Sequence, residues 1–293
     1  MPLIDIHTHL ESFARRGELP VVLQRAREAG LEAMITIGTD TGDWPLYRDL
    51  AREHAGFVHY AVGLHPCGVD EDWEKSFSQI EGYWQAAPAF SPASPTAVRI
   101  PAPPLPAALG EVGLDRFHLP KDDAARAVQI FQWQRDAFAA GLALAKQRNC
   151  PVVVHSRGAF RECVEMIDAS GINWARVVFH CFTEGPDEIA ELMRRGGFGS
   201  FTGVITYKNA DAVRAAAKAQ GLERLMIETD APYLTPMPHR GKPNEPAYMR
   251  HTAEYCARLF GVSLDELAAI TTANAKRFFG LGETPDTLNT PKH

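Results

Sequence analysis

Eight short runs of apolar and β-branched residues alternate with longer segments of helical period along this chain, and that alternation restricts its fold more than any other feature. The runs are Leu3–Ile6, Ala33–Ile37, Val58–Leu64, Ala108–Val112, Val152–Val154, Arg176–Phe179, Phe198–Phe201 and Leu225–Ile227. Strands that alternate with helices pair in parallel and are covered on both faces, so they read as continuous apolar stretches. The helical segments are Leu19–Gly30, Trp44–His54, Asp72–Trp84, Ala124–Gln147, Phe160–Ala169, Asp187–Arg195, Ala210–Ala219 and Tyr248–Phe260, with Ser263–Phe279 as one more at the end. Eight such βα units predict an α/β protein of the (β/α)8 TIM-barrel type.

Two segments fall outside this rhythm. Residues 87–108 hold seven prolines, which remove backbone donors and forbid a regular helix or a central strand. This Pro-rich insertion precedes the fourth strand, which predicts a peripheral loop on the barrel's N-terminal face, away from the active-site face. Residues 281–293 are polar and aperiodic and read as a flexible C-terminal tail. Of the 293 residues, the rest amount to one barrel of about 250, so a single domain over 1–280 is expected rather than two.

A hydrophobic content of 45% is ample for a sizeable core, and a formal charge of −6 excludes a scaffold that holds nucleic acid by bulk positive charge. The N-terminus lacks the basic and apolar regions of a secretory signal, and no window approaches about 18 uninterrupted apolar residues. No membrane association is expected. The cysteines, Cys67, Cys150, Cys163, Cys181 and Cys256, are scattered without a CxxC pair, which fits a reducing, cytoplasmic setting and argues against a disulfide framework.

The chemistry shows in where histidines and carboxylates fall relative to the strands. His7 and His9 follow the first strand, His65 the third, Glu111 ends the fourth, His155 the fifth, His180 the sixth and Asp230 the eighth. All seven therefore converge on the C-terminal mouth, where barrel enzymes place their active sites. Residues two apart on a strand share a face, so His7 and His9 can aim at one ion. Any one of these residues taken alone reads more readily as a hydrogen-bonded core histidine or a capping acid. Seven strand-end coincidences read as a metal site, with enough imidazoles and carboxylates for two divalent ions and one carboxylate to bridge them.

These segments resemble the TatD family of metal-dependent hydrolases, among the amidohydrolase-like barrels. The matching stretches are Asp5–Leu10, Gly63–Pro66, Gly110–Asp115, Val154–Arg157, His180–Thr183, Gly199–Gly203, Glu228–Leu234, Arg240–Pro246 and Asn274–Phe279, in order from residue 3 to about 280. The resemblance implies that His7, His9, Glu111, His155, His180 and Asp230 are metal ligands, with Glu111 bridging two ions. Some members lack the first His-x-His pair, whereas this chain has it. The resemblance also implies hydrolysis of DNA phosphodiesters, often as an exonuclease, although several members are assigned only as generic hydrolases.

On this reading Asp230 takes the proton of the attacking water, Glu111 holds both metals, and His65 contacts the substrate or its leaving group. Arg157, Arg240 and Lys242, on mouth loops, are the expected phosphate contacts, while Tyr207 and Lys208 are placed to stack on a base and hold its phosphate. Mixed imidazole and carboxylate ligands suit Zn, Mn, Ni or Co, with Mg a further option for a nuclease. Two bound ions would give an acidic chain a positive site for DNA. A small-substrate amidohydrolase, lactonase or phosphoesterase on the same metals is the alternative. A binding protein that recruits a partner through loop 87–108 is a third reading, and recruitment also stands as an accessory role. Cys67 and Cys181 read as small hydrophobes, Asp115 as a residue that orients a neighbour, and His118 and His239 as loop residues outside the ligand set.

Overall fold

A computed structural model of the chain describes residues 2–85 and 104–282. Its strands are β1 (Leu3–Thr8), β2 (Leu31–Ile37), β3 (Val58–Val62), β4 (Ala108–Asp115), β5 (Val152–Arg157), β6 (Val177–Phe179), β7 (Phe198–Phe201) and β8 (Met226–Ile227). They form one eight-stranded sheet in sequence order, each pair parallel. The seam between β8 and β1 is drawn together by a bridge between Thr8 and Ala231 and by bonds from Asp230 N to His7 O and from His9 N to Ala231 O. The result is the (β/α)8 barrel that the alternating pattern predicts.

The helices are α1 (Glu11–Arg15), α2 (Leu19–Glu28), α3 (Trp44–Glu53), α4 (Trp73–Phe77), α5 (Ala124–Arg148), α6 (Phe160–Ser170), α7 (Pro186–Arg195), α8 (Asp211–Gln220), α9 (Met249–Phe260) and α10 (Leu264–Phe279). Local chemistry sets several ends. Asp123 accepts from Arg126 N to cap α5, and Ser263 accepts from Glu266 N to cap α10. Asn149, Gly171 and Gly261 close α5, α6 and α9 in the left-handed conformation. The single helix expected over 72–84 is instead α4 followed by a 3-10 turn over Ile80–Trp84. Ser78 turns its hydroxyl back onto Lys75 O, and Gly82 weakens helix propensity just beyond. The short helix α1 was not anticipated.

Alternation along the strands sorts the core into two layers. Val58, Tyr60 and Val62, Leu109 and Val112, Val152 and Val154, and Val177 and Phe179 belong to the cluster between the sheet and its helices. Ile4, Ile6, Ala33, Ile35, Ile37, Ala61, Ala108, Val153, Val178 and Met226 fill the lumen, and Phe278 and Phe279 of α10 pack into the same cluster. The barrel is thus a filled apolar cylinder below its mouth.

The described end of the Pro-rich segment supports the barrel's side. Pro104 O accepts from Tyr60 Oη at 2.9 Å, Ala107 N donates to Tyr60 O at 2.8 Å, and Ala108 already belongs to β4. The insertion therefore ends earlier than residue 108, and it rejoins the sheet at the end away from the strand-end histidines. Residues 87–103 of the expected insertion, and residues 283–293 of the expected tail, lie outside the described residues. Among the described residues no helix is long and apolar enough to cross a membrane.

Close approach of β4 to β5 depends on Gly113. Its φ is +144°, and an added Cβ would lie 2.0 Å from the carbonyl oxygen of His155. Gly113→Ala is expected to lower the unfolding free energy by about 1–3 kcal/mol, since the strand must shift or strain. Gly82→Ala, where an added Cβ meets nothing within 4 Å, should stay within about 0.5 kcal/mol. Urea denaturation of the two variants checks the contrast.

Candidate metal centre

The lumen-facing register of each strand continues into its mouth residue. Val153 leads to His155, Val178 to His180, Ala61 through Gly63 to His65, and Met226 through Glu228 to Asp230, each by steps of two. Glu111 breaks this rule. Leu109 and Val112 both face the helices, so an uninterrupted β4 would turn Glu111 outward. The pairing of β4 with β5 shifts register between Leu109 and Val112, and that bulge re-aims Glu111 into the mouth. A similar shift between Asp5 and Thr8 in the pairing of β1 with β2 accompanies the inward turn of His7.

Two groups of donor atoms result. In the first, His7 Nε2 lies 3.2 Å from His9 Nε2 and 3.3 Å from Glu111 Oε2. Asp230 Oδ1 stands 3.7 Å from His7 Nε2 and 3.4 Å from His9 Nε2. In the second, Glu111 Oε1 lies 2.7 Å from His155 Nδ1, 2.6 Å from His180 Nε2 and 3.4 Å from His65 Nε2. His155 Nδ1 is 3.2 Å from His65 Nε2 and 3.4 Å from His180 Nε2. Ligand atoms about 2.0–2.2 Å from a tetrahedral cation stand roughly 3.4 Å apart, which is close to most of these spacings. Each group can hold a divalent cation, and Glu111 offers one oxygen to each.

The donor chemistry fits. His7 Nε2 and His9 Nε2 face each other, and two ring nitrogens can share only one proton, whereas a cation accepts both lone pairs. Burial raises the cost of every charge here, yet at Glu111, Asp230 and His180 the cluster overrides it. Glu111, 2% exposed, is held well below the usual carboxylate range against burial by the charges of His180 and His65 and by hydrogen bonds from His155 and His180. Asp230 is lowered likewise against burial by the hydrogen bond from His9 and the charges of His7, His9 and His180. His180 is raised well above the imidazole value, its burial outweighed by Glu111, while burial and the charge of His180 lower His7.

The second layer orients the first. Asp115, fully buried, accepts from His155 Nε2 at 3.0 Å, which leaves Nδ1 to face Glu111. Glu228, also fully buried, accepts from Cys181 N and Ser200 Oγ, both at 2.6 Å, and lies 3.5 Å from His180 Nδ1. Asp5 accepts from Thr229 N and Oγ1 and from His7 N, joining β1 to β8, and burial pushes its carboxyl up to about 7. The sequence reading missed Glu228. Its signal was the alternation itself, since it lies two residues after Met226 and two before Asp230.

The expected substrate contacts divide. The Arg157 guanidinium sits over the ring of Phe117, 4.0 Å from its centroid, beside the mouth. Arg240 covers the ring of Tyr207 at 4.2 Å, and Tyr207 Oη donates to Thr235 O at 3.0 Å. That ring therefore supports an arginine rather than standing free for a base. Lys208 and Lys242 are exposed. Two aromatics that the sequence reading passed over are exposed, each in a loop just after a ligand-bearing strand, Phe117 with the Arg157 guanidinium on its ring and Tyr233 beside His9. Phe117 is 53% exposed, and Tyr233 is 61% exposed with its ring 6.3 Å from that of His9.

The family described as TatD related DNase matches residues 4–280. The chain is 32% identical over 277 residues to the uncharacterized metal-dependent hydrolase YabD of Bacillus subtilis, covering 94% of this chain and 98% of that protein. It is 31% identical over 287 residues to the 3'-5' ssDNA/RNA exonuclease TatD of Erwinia amylovora, covering 95% of this chain and all of that one. Among solved structures, the TatD homolog YJJV of Escherichia coli K12 superposes with a TM-score of 0.78 at 25% identity, over 95% of this chain and 98% of that one.

Cation binding should stabilise the fold and compete with protons. At a cation concentration a hundred times Kd the gain is about 2.7 kcal/mol, several degrees of Tm. His9, His155 and His180 hold protons above the ordinary imidazole value. Uptake should therefore release protons near neutrality, and affinity should already fall as pH drops towards the ordinary imidazole value of about 6.5, because the shifted groups protonate above it. Calorimetric titration in two buffers of different ionisation heat, with melting curves at each pH, measures both.

Proposed function

From the premise that the chain belongs to the TatD-related DNase family, we propose that this metal-dependent hydrolase cleaves the phosphodiester bonds of single-stranded nucleic acid, as an exonuclease. The observation that carries the reading is the pair of donor groups sharing Glu111 at the open end of the barrel, with His7, His9 and Asp230 on one side and His155, His180 and His65 on the other. Divalent cations held there supply Lewis acidity and an activated water at neutral pH.

The chain's own residues do the rest. Asp230 is ionised, and its side chain is 13% exposed where that of Glu111 is 2%, so it is the carboxylate that solvent and substrate reach. It accepts the proton of the attacking water. Glu111, with both oxygens engaged, holds the two groups at fixed separation. His65, with a side chain 21% exposed, sits close enough to Glu111 to complete the second donor group and open enough to touch the substrate. Arg157, braced on Phe117, and Arg240, braced on Tyr207, meet the phosphate charge. Tyr233 offers a face for an unpaired base, which favours a single strand over a duplex and a polymer over a small ester.

Asp230→Asn should lower kcat on a single-stranded oligonucleotide by about 10²–10⁴-fold while the protein stays folded. Tyr233→Ala should raise KM for the oligonucleotide by about 5–100-fold, the loss of one stacked base, and leave a chromogenic phosphodiester unaffected. Metal-loaded protein that spares oligonucleotides yet hydrolyses a lactone, amide or small phosphoester would replace this reading with a small-substrate hydrolase.

A further inference from the structure

Outside the two donor groups, Cys67, Asp115 and His118 bring three further ligand atoms together on the rim of the mouth. Cys67 Sγ lies 3.5 Å from Asp115 Oδ2 and 3.4 Å from His118 Nδ1, and those two atoms are 2.8 Å apart. The sequence reading took Cys67 for a small buried hydrophobe and left His118 outside any ligand set. In the structure Cys67 is exposed and His118 is half exposed, while the carboxylate between them is fully buried. We propose that these three residues bind a separate thiophilic divalent cation, of the zinc class, with solvent in the remaining position.

The spacing suits such an ion. With Zn–S about 2.3 Å and Zn–N or Zn–O about 2.0–2.1 Å, tetrahedral geometry places sulfur roughly 3.5 Å from each partner. Both sulfur distances already match, and only the hydrogen-bonded His118–Asp115 pair must open slightly. The site is also braced. Asp115 Oδ1 is fixed by His118 N at 2.8 Å. Buried Gln134 of α5 accepts from Asp115 N at 3.0 Å and donates to Pro66 O at 3.1 Å, so one side chain holds the backbone beside Cys67 and that of Asp115. A thiolate, an imidazole and a carboxylate select zinc or cobalt over magnesium.

Asp115 Oδ2 also accepts from His155 Nε2, so the rim ion and the second donor group would share a carboxylate. One lone pair stays with His155 and the other turns to the rim cation. Binding displaces the Cys67 thiol proton to solvent, and no oxidation or group transfer is involved.

Cobalt(II) alone is a sufficient probe, because the inner donor groups offer only nitrogen and oxygen. Reduced wild-type protein titrated with cobalt should develop a sulfur-to-cobalt charge-transfer absorption, and Asp230→Asn should keep it. Cys67→Ser should abolish the band and lose one bound equivalent by elemental analysis, with an unchanged circular dichroism spectrum. His118→Ala should weaken that equivalent by about ten-fold or more, since loss of even an outer partner costs that much. A wild type without the band would overturn the proposal and show the trio to be a hydrogen-bond network. A band that survives Cys67→Ser would also overturn it, placing the sulfur ligand at Cys181. None of these readouts depends on hydrolysis, so failure here leaves the nuclease reading to be judged on its own test.

Discussion

Glu111 is the residue on which the site depends. A carboxylate that is 2% exposed above an apolar lumen carries a desolvation cost that only neighbouring charge and hydrogen bonds offset. Its two oxygens face different imidazole groups, so the same side chain spaces both halves of the centre. The mouth residues repel or attract one another according to how many protons they hold. Cations in place of those protons turn a costly buried cluster into a favourable one. Removing Glu111 would leave five imidazoles, those of His7, His9, His65, His155 and His180, without their common partner.

Much of this was legible in the sequence because barrel strands obey a period of two. Val153 and His155, or Val178 and His180, can be assigned to one face from their spacing alone. The order of runs gave the parallel sheet, and the ends of those runs gave the mouth. Glu111 was legible as a strand-end acid, but its inward aim was not, since strict alternation from Leu109 would have turned it outward. The register shift that corrects it comes from how β4 pairs with β5, a contact between residues about forty apart. The break of the expected third helix into α4 and a 3-10 turn, and the short helix α1, rest on single turns that periodicity does not resolve.

Loop chemistry was the least legible. Tyr207 looked available for stacking, yet its ring and hydroxyl are committed to Arg240 and Thr235. Phe117 and Tyr233 had no pattern to distinguish them, and their exposure depends on how the loops after β4 and β8 leave the barrel. Cys67 and His118 are fifty-one residues apart and meet only because the loops after β3 and β4 share the rim around Asp115. Convergence of separate loops on one carboxylate is a tertiary fact that no spacing within either loop encodes.

Anomalous diffraction from a crystal grown with manganese or zinc tests the central claim most directly. The account predicts two peaks flanking the Glu111 carboxylate about 3.5–4 Å apart, one ligated by His7, His9 and Asp230 and the other by His155 and His180. Peaks that leave Glu111 uncoordinated, or a single ion held by other residues, would contradict it.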